Sequence, residues 1–215
     1  MTTTTDTAAL HPIDPRGLLD LAIATGGTVV AGVGDDQLSA PTPCHDMDVR
    51  AMLGHLVGVL DRIATVGEDG DVFSVVETDS PDVEWPAAWA RAAGRATDAW
   101  RDDSALDRPV TLPWIRGSGA DVLTSYLSEL TVHTWDLATA TGQQPRWDDS
   151  VVTAALEAPS VLPAENRRAM FEEISAALGL DDVAVPFADA VDVADDADPI
   201  DRLVAWNGRD PRLKS

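Results

Sequence analysis

The run from about Ala120 to Thr141 contains no proline and no interior glycine, and that continuity constrains the chain more than any other feature. Apolar residues at Val122, Leu123, Leu127, Leu130, Trp135, Leu137 and Ala138 recur at helical rather than alternating intervals, so the run reads as one long helix. In such a helix Glu129 and His133, four apart, emerge on one face a turn apart. Asp136, three further on, leans to the same side. A carboxylate and an imidazole placed this way can close on one divalent ion. The same spacing also describes an ordinary solvated helix face with a weak ion pair, so a third donor is needed before a metal is favoured.

His55 is the candidate third donor. Its surroundings, Val49-Arg50-Ala51-Met52-Leu53-Gly54-His55-Leu56-Val57-Gly58-Val59-Leu60, are almost all apolar, which turns the ring toward a helical interior. A histidine on an apolar face is commonly a satisfied core residue. With Glu129 and His133, however, it makes a three-ligand set on two helices that leaves one position open for water or substrate. A His/Glu/His set accepts zinc, nickel, iron or manganese, and availability selects among them.

Composition narrows the partners. The 215 residues suffice for one domain with a sizeable core, and 45% hydrophobic content places the chain among globular proteins. Acidic residues outnumber basic ones by 37 to 15, for a formal net charge of -22, and the only lysine is Lys214. Nucleic acid and anionic membrane surfaces are therefore poor partners, since both are bound by clustered Lys and Arg. No apolar run reaches bilayer length, and Met1-Thr2-Thr3-Thr4-Thr5-Asp6-Thr7 lacks the plan of a signal peptide. A single cysteine, Cys44, forms no internal disulfide, which suits a reducing cytoplasm.

Taken in order, residues 1–13 read as a flexible polar tail and 14–215 as a single domain. Asp14-Pro15 opens a helix running to about Val33, weakened in its middle by Gly26 and Gly27. Asp48 caps a second helix to about Thr65, which carries His55. Residues 72–81 read as an exposed loop. A third helix is predicted from near Asp82 to Trp100 or Arg101, with Trp85, Trp89 and Trp100 at helical spacing for the core. Residues 108–118 suggest a minor hairpin. After the Glu129/His133 helix, further helices are predicted over Asp148–Glu157, Pro163–Leu178 and Ile200–Trp206, with an acidic loop from Val183. The fold class is all-α, a four-helix bundle with extra C-terminal helices.

Several segments carry a resemblance. Pro43-Cys44, Val49-Arg50 with Leu53-Gly54-His55-Leu56, the run Glu129-Leu130-Thr131-Val132-His133-Thr134-Trp135-Asp136-Leu137-Ala138, and the ending Asn207-Gly208-Arg209-Asp210-Pro211 together resemble the actinobacterial metal-binding branch of the DinB/mycothiol-dependent maleylpyruvate isomerase-like superfamily. The resemblance spans about Leu18 to Pro211. It implies a DinB-like bundle with a divalent ion near one end, held by His55, Glu129 and His133. It also implies, as in some relatives, a low-molecular-weight thiol such as mycothiol as cosubstrate of an isomerase or S-transferase acting on a small electrophile. The isomerase relatives carry an additional C-terminal domain, whereas the residues after Gly142 here read as helices and an acidic loop. Bundles of this kind often pair, which leaves a homodimer open.

Other residues have two readings each. Asp136 either accepts the outer N–H of a ligand histidine or pairs with Arg50. Cys44 reads as a buried structural thiol rather than a ligand, His45 as a residue lining the site, and His11 has no supporting pattern. Trp114 and Trp135 are the tryptophans nearest the site. The sequence shows no phosphate loop, Cys-x-x-Cys or nucleophile elbow. The functional readings are a zinc-dependent thiol transferase or isomerase, a non-catalytic metal-binding or ligand-sensing bundle, and a helical protein whose histidines are structural.

Overall fold

Helix starts fall where the sequence places capping oxygens. In the computed structural model, which describes residues 14–77, 83–112, 114–158, 163–178 and 187–213, Asp14 accepts from Arg16 N and Asp48 from Ala51 N. Asp148 does the same for Ser150 N and Val151 N, and Ser118 forms a capping box with Asp121. Each such cap contributes about 1 kcal/mol to its helix. The elements are α1 (Pro15–Ala31), α2 (Val49–Gly67), α3 (Trp85–Ala99), α4 (Asp103–Asp107), β1 (Pro109–Leu112), β2 (Ile115–Ser118), α5 (Gly119–Ala140), α6 (Asp149–Glu157), α7 (Arg167–Leu178) and α8 (Pro199–Trp206).

The described structure is mostly helical, with one two-stranded antiparallel hairpin that pairs Pro109 with Ser118 and Leu112 with Ile115. Helices α1, α2, α3 and α5 form the bundle. α2 packs on α3 and α5, and α1 packs on the same two, so α1 and α2 stand across the diagonal. This arrangement positions the site, because it lays α2 directly against α5. Leu19, Met52, Leu53, Leu56, Leu60, Ile63, Leu123, Leu127 and Leu130 fill the interior. Trp100 is fully buried and donates its indole N–H to Ile63 O at 2.9 Å.

The glycine pair in α1 has a tertiary explanation. A Cβ at Gly26 would stand 2.6 Å from the Trp89 ring, and one at Gly27 2.9 Å from its Nε1. The residues that weaken α1 by propensity therefore admit an α3 tryptophan against its backbone, and the helix continues unbroken.

Some boundaries differ from expectation. α3 begins at Trp85, with Pro86 in its first turn, rather than near Asp82, which lies outside the described residues. α7 begins at Arg167, where Asn166 adopts a positive φ, rather than at Pro163. The short helix α4, capped by Asp102, had no counterpart in the sequence reading because five residues show no period. The C-terminal elements join the bundle through α6, which packs on α5 and on α8. The tail 1–13, with His11, and residues 183–186 of the acidic loop lie outside the described residues. No described helix is long and apolar enough to cross a membrane.

Candidate metal centre

Contact between α2 and α5 places His55 over the Glu129/His133 face. His55 Nε2 lies 3.2 Å from Glu129 Oε1, and His133 Nε2 lies 3.8 Å from the same oxygen. The three donor atoms all fall within 4.8 Å of one another. Bonds of about 2.0 Å to a tetrahedral ion set neighbouring ligand atoms about 3.3 Å apart, so little movement separates this geometry from a coordination shell. The two imidazoles meet edge to face, with centroids 4.6 Å apart.

The outer ring nitrogens are committed elsewhere. His55 Nδ1 is 2.9 Å from Glu77 Oε1, and His133 Nδ1 is 3.0 Å from Asp136 Oδ2. A carboxylate on the outer nitrogen fixes tautomer and orientation and leaves Nε2 facing inward. His133 is fully buried, and its Nε2 has no hydrogen-bond partner among the described residues. An orphaned buried nitrogen is costly unless something occupies it, which is the observation by which these residues fit a divalent ion.

The electrostatics follow from the same contacts. Burial disfavours a charged His55 ring, but Glu129 and Glu77 outweigh it and lift the pKa to about 9. Burial likewise opposes ionisation of Glu129 and Glu77, yet His55 holds both carboxyls down to about 2, with help from Arg62. Burial pushes the pKa of His133 down, so its ring stays neutral at pH 7. Without metal, a proton on His55 occupies the place an ion would take, and metal binding must release it.

Glu77 belongs to the stretch read as an exposed loop and is itself exposed, but its side chain lies against α2 at 31% exposure. It bridges His55 and Arg62, and its Cγ rests where a Cβ at Gly58 would stand, 2.7 Å away. The absence of a side chain at Gly58 is what lets the carboxylate lie across the helix.

Asp136 does orient His133, but its ion-pair partner is Arg209 and not Arg50. Arg209 Nη2 donates to Asp136 Oδ2 at 2.6 Å and its Nε to Oδ1 at 3.0 Å, both side chains being buried. Gly208, with φ 84°, is packed so tightly on the Ala188 backbone that a Cβ would fall 2.6 Å from it. That turn delivers Arg209 under the site from the end of α8. Burial opposes charge on both partners, and the pairing overrides it, lowering the Asp136 pKa and raising that of Arg209.

Cys44, His133 and Asp136 form a second cluster of possible donors. Arg209 already supplies the positive charge there, and burial raises the Cys44 thiol to about 11, so this side suits a cation poorly. His45 lines a small cleft with Cys44 rather than the cavity beside His55.

A cavity of about 1140 Å³ opens beside the three donors and is lined by His55, Glu129, Glu77 and Trp114 among others. His133 stands behind His55 and Glu129, stacked on Phe187 at 5.4 Å. Trp135 is buried and is not among the described lining residues.

The family model described as the mycothiol maleylpyruvate isomerase N-terminal domain matches residues 19–138, an interval that contains His55, Glu129 and His133. The chain belongs to that family. Two Mycobacterium tuberculosis proteins, uncharacterized protein MT0763 and uncharacterized protein Rv0738, are each 26% identical over 184 residues, covering 86% of this chain and 91% of the relative. No solved structure matches. The family match stops at residue 138, so Phe187 and Arg209, which complete the site, come from beyond it. In the sequence Arg209 stands out only as part of the terminal Asn207-Gly208-Arg209-Asp210-Pro211 motif. No spacing or motif marks Phe187 or Glu77.

Proposed function

We propose that this member of the mycothiol maleylpyruvate isomerase N-terminal family binds a divalent ion, zinc foremost, through His55, Glu129 and His133, and works on a small electrophile with a low-molecular-weight thiol of the mycothiol kind, as a transferase or isomerase. The observation that carries this reading is the convergence of three donor atoms on one point while each outer imidazole nitrogen is held by a carboxylate. When bound, such an ion supplies Lewis acidity and holds a coordinated thiol in its thiolate form.

The chain's own residues divide the remaining work. His133, buried and neutral, offers a lone pair at Nε2 and is kept from rotating by Asp136, which Arg209 holds in turn. His55 and Glu129 stand at the cavity wall, so reactants approach from their side. Glu77 fixes the His55 ring through Nδ1. Glu77 is itself committed to His55 and Arg62.

Elemental analysis of tag-free wild type beside His133→Ala tests the reading. About one zinc per chain, lost in the variant, followed by mycothiol-dependent consumption of an electrophile from a panel of epoxides, quinones and maleylpyruvate, is the expected result. No stoichiometric metal in either protein would overturn it. Stoichiometric metal with ligand affinity but no turnover would move the assignment to a ligand-sensing bundle.

A further inference from the structure

Helix α8 brings two unlike side chains to the cavity beside His55 and Glu129. Arg202 and Trp206 both line it and stand four residues apart, so they leave the helix on one face, a turn apart. Rings reach the same cavity from other segments, among them Phe73, Trp114, Phe171 and Phe187. Trp206 is 40% exposed, yet its indole is braced from within. The Arg167 guanidinium, fully buried, lies 5.0 Å from the ring centre and donates to Pro163 O, Ala188 O and Trp206 O. An indole held this way presents a preset flat surface to whatever enters the cavity.

Arg202 is a cation still available at this wall. It is exposed, and its guanidinium has no ion pair or hydrogen bond among the described residues. The other arginines around the site are engaged, Arg62 with Glu77, Arg209 with Asp136 and Arg167 with backbone carbonyls. The acidic residues lining the cavity are Glu77, Glu129, Asp192 and Asp195. Arg62 and His55 answer Glu77, and the divalent ion of the proposed function answers Glu129. An anion entering the loaded site therefore meets two positive centres, the ion and Arg202. Asp192 and Asp195 weaken the long-range pull without pairing with Arg202, so selection rests on contact. A guanidinium fork meets a carboxylate at two points, which few other groups can match.

From this arrangement we infer that Arg202 and Trp206 form the subsite for the electrophile's own carboxylate, the guanidinium taking it in a paired hydrogen bond and the indole taking the flat, conjugated body attached to it. The inference rests on the proposed function and deepens it, naming an aryl or α,β-unsaturated carboxylate as the substrate class and α8 as the element that selects it. Residues four apart on a helix hold their Cβ atoms about 5–6 Å apart, the order of the carboxylate-to-ring separation in cinnamate. The three metal donors lie within residues 19–138 matched by the family model, whereas α8 lies beyond them. The groups that hold the ion and those that choose the electrophile thus come from different parts of the chain.

The test is isothermal titration of zinc-loaded protein with cinnamate and with cinnamamide, its uncharged counterpart, with zinc content measured in every sample. Arg202→Gln should weaken cinnamate about three- to five-fold, the scale of a solvent-exposed ion pair, and leave cinnamamide unchanged. Arg202→Lys, which keeps the charge but not the fork, should recover part of that loss. Trp206→Leu should weaken both ligands. Arg168→Gln removes an equal charge from the neighbouring cleft and should change neither, which separates contact from net charge. A carboxylate held by the ion alone binds wild type and Arg202→Gln equally. That result overturns the inference, as does an equal loss in Arg168→Gln or no binding of cinnamate by wild type. Repeating the titrations after EDTA treatment separates the two readings. Arg202-dependent cinnamate binding in a protein that never holds stoichiometric zinc defeats the metal assignment alone. Stoichiometric zinc with cinnamate binding indifferent to Arg202 defeats the subsite alone.

Discussion

Asp136→Asn is the perturbation for which the structure gives the clearest magnitude. The carboxylate accepts from Arg209 at 3.0, 3.2 and 2.6 Å and lies 3.0 Å from His133 Nδ1, with Asp136 and Arg209 0% and 2% exposed at their side chains. Removing one member of a buried pair leaves the other charge uncompensated and costs about 3–5 kcal/mol. For a chain of this size that corresponds to a fall in Tm of about 6–20 °C. Arg209→Met should destabilise for the converse reason, but the double variant should be less damaged than the sum of the singles by about 2–3 kcal/mol, since neither charge is then left alone. Urea or thermal unfolding followed by circular dichroism, in EDTA to keep metal out of the comparison, measures all four corners. Under matched conditions with zinc, Asp136→Asn should also lose about 10- to 100-fold in affinity, because His133 no longer has its charged acceptor. A single-variant loss below about 1 kcal/mol, or additivity within about 0.5 kcal/mol, would refute the claim that this pair holds the base of the site.

Two further outcomes follow from the same geometry. The folded-state pKa of His55, raised from 6.5 to about 9, means that its contribution to metal-free stability is complete below pH 6.5 and disappears as pH climbs through 9. Unfolding in EDTA should therefore show a loss of about 3 kcal/mol between pH 6 and pH 10, and a flat profile across that window would contradict the His55 contacts with Glu77 and Glu129. Gly58→Ala should separate fold from site. A helical alanine is favoured over glycine by about 1 kcal/mol, which offsets part of the stability lost with the Glu77–His55 contact, so Tm should change little, while the new Cβ displaces Glu77 and zinc affinity drops about ten-fold. Competition with a chromogenic chelator reads the affinity, and unchanged binding would show that Glu77 does not position His55.

The division between local and tertiary information runs through individual residues. The helices were legible because their determinants are local. Asp14, Asp48, Ser118 and Asp148 announce starts, and apolar spacing in each segment follows one turn at a time. The Glu129/His133 pairing was legible for the same reason, since four residues along a helix always share a face. The role of Asp136 was half legible. Its contact with His133 is a three-residue spacing, but its partner Arg209 lies 73 residues away and reaches it through a turn that only Gly208 permits. Glu77 approaches His55 from a loop without periodicity, over a glycine whose vacancy carries no meaning until the chain folds across it. The aromatic cavity is further still from the sequence, because Phe73, Trp114, Tyr126, Phe171, Phe187 and Trp206 come from separate elements and share no spacing. The sequence by itself determined the helices and the face on which two candidate metal donors stand. The tertiary structure alone decided which carboxylates hold their rings and what kind of surface faces them, because those contacts join distant segments whose meeting depends on how whole helices pack.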